Sequence, residues 1–81
     1  MTFLEKYNSE KSWHGKVLVM EIYHLAHCQQ KGWSIARLAQ DFQVSIGLAS
    51  ENLKLATLIH TTPTILHARS RQEALKKAKN I

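Results

Sequence analysis

Ser or Thr recurs immediately before each apolar-periodic segment of this chain, and that punctuation constrains the fold more than any other feature. A hydroxyl at such a position accepts a hydrogen bond from an otherwise unpaired N–H of the first helical turn. Thr2 with Glu5, and Ser70 with Glu73, have the three-residue spacing of a capping box. Ser12, Ser34 and Ser45 stand before three further segments, and Thr62 is followed by Pro63, whose missing N–H costs nothing at a first helical position. With one proline, three glycines and no long apolar–polar alternation, strands find no support. The expectation is an all-α compact bundle of four to five short helices, in a single domain over residues 1–81.

Periodicity assigns a face to each helix. One helix is expected from Trp13 to about Gln30, burying Leu18, Ile22, Leu25 and Cys28, with Gly32 just beyond its end. Cys28 reads as a small core residue and Trp13 and Trp33 as core packing at either end of that helix. The next helix sets Ile35, Leu38, Ala39 and Phe42 on one face; the one after Ser45 sets Leu48, Ala49, Asn52, Leu53, Ala56 and Ile59 there. A last, basic helix runs through Ala74, Leu75 and Ala78.

Charge separates the chain into unequal parts. The net charge is +5, and residues 69–81 hold +4 of it, with Arg69, Arg71, Lys76, Lys77 and Lys79 against Glu73 alone. A basic end suits phosphate backbones, and on charge alone it suits an ordinary solvated helix terminus equally well. No apolar run approaches a membrane span, and the acidic Glu5 and Glu10 do not suit an export signal. One cysteine cannot form an internal disulfide, so a reducing, cytoplasmic setting is expected.

Residues 34–58 carry the functional reading. Two helices flank Gln43-Val44-Ser45 in the manner of a helix-turn-helix. Ala39 is the small residue the close helix crossing needs, Val44 the apolar plug of the turn, and Ser45 the cap of the second helix. Ile46, Gly47, Ser50, Glu51 and Lys54 then fall on the outward face of a reading helix at about residues 46–58. Ser50 and Lys54 are candidates for base edges or phosphates, and Glu51 for a cytosine amino group. Ser34, Arg37 and Ser45 complete the candidate DNA surface on this unit, and Arg69, Arg71, Lys76 and Lys77 extend it as phosphate contacts.

The run Ala39-Gln40-Asp41-Phe42-Gln43-Val44-Ser45, followed by Asn52-Leu53-Lys54-Leu55-Ala56, resembles the helix-turn-helix of ParB and KorB type partition and plasmid-regulatory proteins over about a third of the chain. The resemblance implies sequence-dependent binding of double-stranded DNA by a small transcriptional regulator or partition-type factor of a phage, plasmid or bacterium. The arginine-rich nucleotide-binding box of ParB proteins is absent, so CTP or ATP use is not implied. Gln43 stands where such turns usually have Gly, and it must adopt a left-handed conformation or the turn must be reshaped. Asn52 falls on the buried face, where it should cap a backbone group or mark a partly open face. A single small module covers part of a tight operator interface, so a homodimer is expected through the long helix or the C-terminal helix.

Other chemistries find less in the sequence. His24 and Cys28 share a helix face and could hold zinc with His60 or His67, but no further ligand pair supports this. The acidic residues form no close pair, and no Gly-rich loop or nucleophile elbow is present, so no enzyme activity, cofactor or small-molecule ligand is implied. The alternative function is a helical protein-interaction module, an adaptor or host-takeover factor with a helix-turn-helix shape.

Overall fold

Each expected start signal opens a helix. A computed structural model describes residues 2–80; Met1 and Ile81, the ends of the 1–81 reading, lie outside the described residues. The order is α1 (Phe3–Ser9), α2 (Trp13–His27), α3 (Ile35–Phe42), α4 (Ile46–Thr61), a 3-10 helix (Pro63–His67) and α5 (Arg71–Ala78), with no strand among the described residues. Thr2 and Glu5 form a reciprocal capping box on α1, and Ser12, Ser34, Ser45 and Ser70 each accept from the third residue beyond them. Two caps depart from expectation. Thr62 makes no side-chain cap, and Pro63 opens a tighter 3-10 turn. At α5 the Glu73 carboxylate accepts from the Arg69 amide at 3.0 Å, one residue earlier than a capping box requires.

Helix α4 is the spine of two packed clusters. Its first half joins Ala49 to Tyr7, Met20, Leu38, Ala39 and Phe42, while its second half joins Leu55, Ala56 and Ile59 to Val17, Ile65 and Ala74. Because α2 lies along both clusters, α2 and α4 bind the halves into one body of 34 × 24 × 20 Å. Trp13 and Trp33 pack at opposite ends of α2 as expected, their indole N–H groups donating to the Ala68 carbonyl at 2.9 Å and to His24 Nδ1 at 3.1 Å.

The face assigned to α2 is corrected. Ile22 and Leu25 are 53% and 63% exposed, Cys28 is exposed, and Leu18 is only partly covered. The buried residues are Val17, Val19 and Met20, with Tyr23, His24 and His27 half-buried along the same side. The cause is aromatic packing. His27 stacks between Tyr23 and Trp33, with centroids 4.1 and 5.2 Å away, and Tyr23 meets Phe42 edge-on at 5.1 Å. Two stripes of α2 have helical spacing, and the one carrying the larger rings is the one that packs. In α4 the buried stripe is likewise turned: Leu55 is fully covered and Leu53 lies at its edge, half-buried.

Candidate nucleic-acid interface

The connection between α3 and α4 is built by its own backbone. Gln43 takes φ 57°, ψ 42°, the left-handed conformation its position demands. The Val44 N–H then reaches back to the Ala39 carbonyl at 3.0 Å and the Gln43 N–H to Gln40 at 3.1 Å, the paired bonds of a Schellman end. A glutamine in this conformation is uncommon, and these two bonds satisfy carbonyls that the end of α3 would otherwise leave unpaired. Val44 turns inward onto the cluster holding Ala39 and Ala49. Ser45 follows, its hydroxyl accepting from the Leu48 N–H at 3.1 Å. These three residues therefore stop one helix, seat the turn and start the next.

The turned stripe of α4 fixes which side remains open. Ala49, Asn52, Leu55, Ala56 and Ile59 point inward, so Ile46, Gly47, Ser50, Glu51 and Lys54 are exposed. Thr57 and Thr61 continue that face toward the helix end; their spacing of three and seven from Lys54 was the available signal. A Cβ placed on Gly47 would meet nothing within 4 Å, so the protein itself leaves open space above that backbone. Lys54 enters no ion pair among the described residues, whereas the Glu51 carboxylate takes the Arg71 guanidinium at 2.9 Å. Ile46, 57% exposed, gives the start of the face an apolar tip.

The remaining candidates divide by what their side chains already do. Ser34 spends its hydroxyl on the Arg37 N–H at the start of α3, and Arg37 is exposed with its guanidinium 5.6 Å from the Trp33 ring centre. Arg69, Lys76 and Lys77 are exposed on and before α5, with Lys77 loosely paired to Glu73 at 3.8 Å. Arg71 is different. Its Nε donates to Asn52 Oδ1 at 2.8 Å and its Nη2 to Glu51 and, more weakly, to the Leu48 carbonyl, so its charge is spent tying α5 to α4.

Asn52 corrects its expected role. It is fully buried, caps no backbone group and marks no open face. Its amide nitrogen faces the Tyr7 hydroxyl at 3.3 Å and Met20 Sδ at 3.6 Å, while its oxygen receives Arg71. Sequence reasoning had no access to these partners because they lie on three other helices. It missed Lys11 and Lys16 for the same reason; they fold beside Arg69 and Arg71 from the far end of the chain.

Asp41 lies on α3 just before the turn and accepts the Tyr23 hydroxyl at 2.6 Å. That hydrogen bond, with burial and the Asp41 charge adding and Arg37 opposing, raises the Tyr23 pKa above its ordinary value. Of the residues weighed as metal ligands, His24 is engaged by Trp33, His60 by Glu21 at 2.9 Å, and the Cys28 thiol faces the Leu25 carbonyl. No set of three His, Cys, Asp or Glu side chains gathers among the described residues. No described helix is long and apolar enough to cross a membrane. Comparison with family models, curated proteins and solved structures returns no match to this chain.

Proposed function

We propose that the α3–turn–α4 unit is a helix-turn-helix and that the protein binds duplex DNA in a sequence-dependent way, as a small transcriptional regulator or partition-type factor. The observation that carries the reading is the turn. A left-handed Gln43, an inward Val44 and a capping Ser45 hold α4 against α3 while leaving Gly47, Ser50 and Lys54 on an open helical face. A helix presented in this way fits the major groove, with its N-terminal residues nearest the base edges. Ser34, Arg37, Arg69, Lys76 and Lys77 supply exposed hydroxyl and cationic groups for phosphates on either side. In this role Arg71 positions α5 against the reading helix rather than meeting phosphate.

Selection of bound duplexes from a random pool tests the reading. Enrichment of a defined site, with affinity falling linearly in log salt, is expected. An unenriched pool bound no better than background contradicts it.

The exposed Ile22 and Leu25 on α2 support a homodimer that brings two reading helices to adjacent half-sites. One observation favours the second reading, a protein-interaction module: the open face of α4 pairs apolar Ile46 with a single unpaired cation, Lys54. Affinity for unrelated duplex DNA that ignores salt, or is absent at low salt, decides for that module.

A further inference from the structure

Lys11, Lys16, Arg69 and Arg71 line one cavity of about 290 Å³, walled on its apolar side by Tyr7 and Trp13. The cavity lies where the α1–α2 connection and the first turns of α2 meet the start of α5. Two of its cations are held in place. Lys16 Nζ donates to the Tyr7 carbonyl at 3.0 Å and sits 4.8 Å from the Tyr7 ring centre, and Arg71 is fixed by Asn52 and Glu51. Lys11 and Arg69 are exposed, and neither side chain enters a hydrogen bond or ion pair among the described residues. No carboxylate lines the cavity. Glu51 bonds the Arg71 guanidinium and Glu73 the Arg69 amide, and the Glu10 carboxylate lies against Gly15 on the first turn of α2.

Gathering like charges in a concave, partly apolar space is unfavourable unless an anion compensates them. Three of the four cations, Lys11, Lys16 and Arg69, have no carboxylate partner, which matches a dianion better than a single carboxylate. A phosphomonoester carries about −1.5 to −2 at neutral pH and accepts several charge-assisted hydrogen bonds. The volume is near the lower end for small-molecule sites, and the partly exposed Trp13 ring gives an aromatic group a surface to pack on, the Tyr7 ring being buried. A backbone phosphate of DNA, flanked by sugars, would leave that surface unused. We propose that this cavity binds a small aromatic phosphomonoester, independently of any contact between α4 and DNA.

Titration of the 15N-labelled protein with phenyl phosphate, in the absence of DNA and at constant ionic strength, tests the site by NMR. The Trp13 indole N–H and the amides of residues 69–71 should shift and saturate. Inorganic phosphate should bind at least tenfold more weakly, and phenol should cause no shift. The double variant Lys11→Ala, Arg69→Ala should weaken phenyl phosphate at least tenfold with circular dichroism unchanged. Lys11→Gln, a milder change, should weaken it at least threefold, which keeps the test open should the double variant unfold. The proposal is overturned by absence of saturable shifts, by shifts centred on Lys76 and Lys77, by equal affinity for inorganic phosphate, or by folded variants that bind like the wild type.

Discussion

Asn52 stands in the middle of the inward face of α4, where an apolar residue is the usual choice, and its amide links Tyr7 on α1, Met20 on α2 and Arg71 on α5. Removing one member of such a network leaves buried partners unsatisfied, which costs more than the bond itself contributes. Asn52→Ala should therefore lower stability by about 2–3 kcal/mol in denaturant unfolding. Arg71→Ala should cost on the order of 1–3 kcal/mol, and the double variant should fall short of the sum, since both changes cut the same bond. Full additivity would show that the contact is energetically idle. Tyr23 makes a different kind of prediction. Its pKa is raised in the folded state by the hydrogen bond to Asp41. A raised pKa means the folded chain holds its proton longer than the unfolded chain, so this contribution is complete below the ordinary tyrosine value, about 10, and is lost as pH rises through the higher folded value. Tyr23→Phe should remove that part of the alkaline loss of stability, read from thermal unfolding between neutral and strongly alkaline pH. An unchanged alkaline profile would refute the assignment.

Helix starts were legible because the signals that set them are local: a hydroxyl and an N–H three residues apart require no knowledge of the rest of the fold. Helix ends were less so: α2 stops at His27 rather than about Gln30, and α4 runs to Thr61 rather than about residue 58. At Gln43 the sequence left two outcomes open, a left-handed residue or a reshaped turn, and the structure shows the first. Helix faces were also less legible. On α2 both the Leu18–Ile22–Leu25 stripe and the Val17–Met20–Tyr23 stripe have helical spacing, and the choice depends on Trp33 and Phe42, which belong to later elements. The stripe left outside has a consequence under the homodimer reading. Ile22→Glu with Leu25→Glu should shift the protein from dimer to monomer in sedimentation velocity while leaving the helical content unchanged. A monomeric wild type, or a variant that remains dimeric, would remove α2 as the contact. Helix α5 carries its own expectation. Neutralising Lys76 and Lys77 should weaken binding alike on all DNA sequences and flatten the salt slope by about one unit per lost phosphate contact. A loss confined to the preferred site would assign these lysines to base reading instead.

Across the whole molecule, α4 belongs to both clusters, so its placement is fixed by α2 along its length, by α1 and α3 at its first half and by the 3-10 helix and α5 at its second. That arrangement leaves Gly47, Ser50 and Lys54 free of structural duty. The candidate surface was readable at this level because an inward stripe on a helix defines an outward one. The separate roles of Arg69 and Arg71 were not, since adjacent basic residues look alike until one is seen to reach Asn52. Whether the outward face of α4 meets DNA is decided by anisotropy titration of the selected duplex with the variant Gly47→Gln, Lys54→Ala. Neither side chain supports the core: Gly47 has open space above it, and replacing a helical glycine contributes at most about 1 kcal/mol of added stability. The expected result is a variant with wild-type circular dichroism and thermal unfolding no lower than the wild type, whose affinity for the site falls by at least about fivefold, in line with a base contact of about 1–3 kcal/mol. A folded variant that binds the site as tightly as the wild type would contradict it.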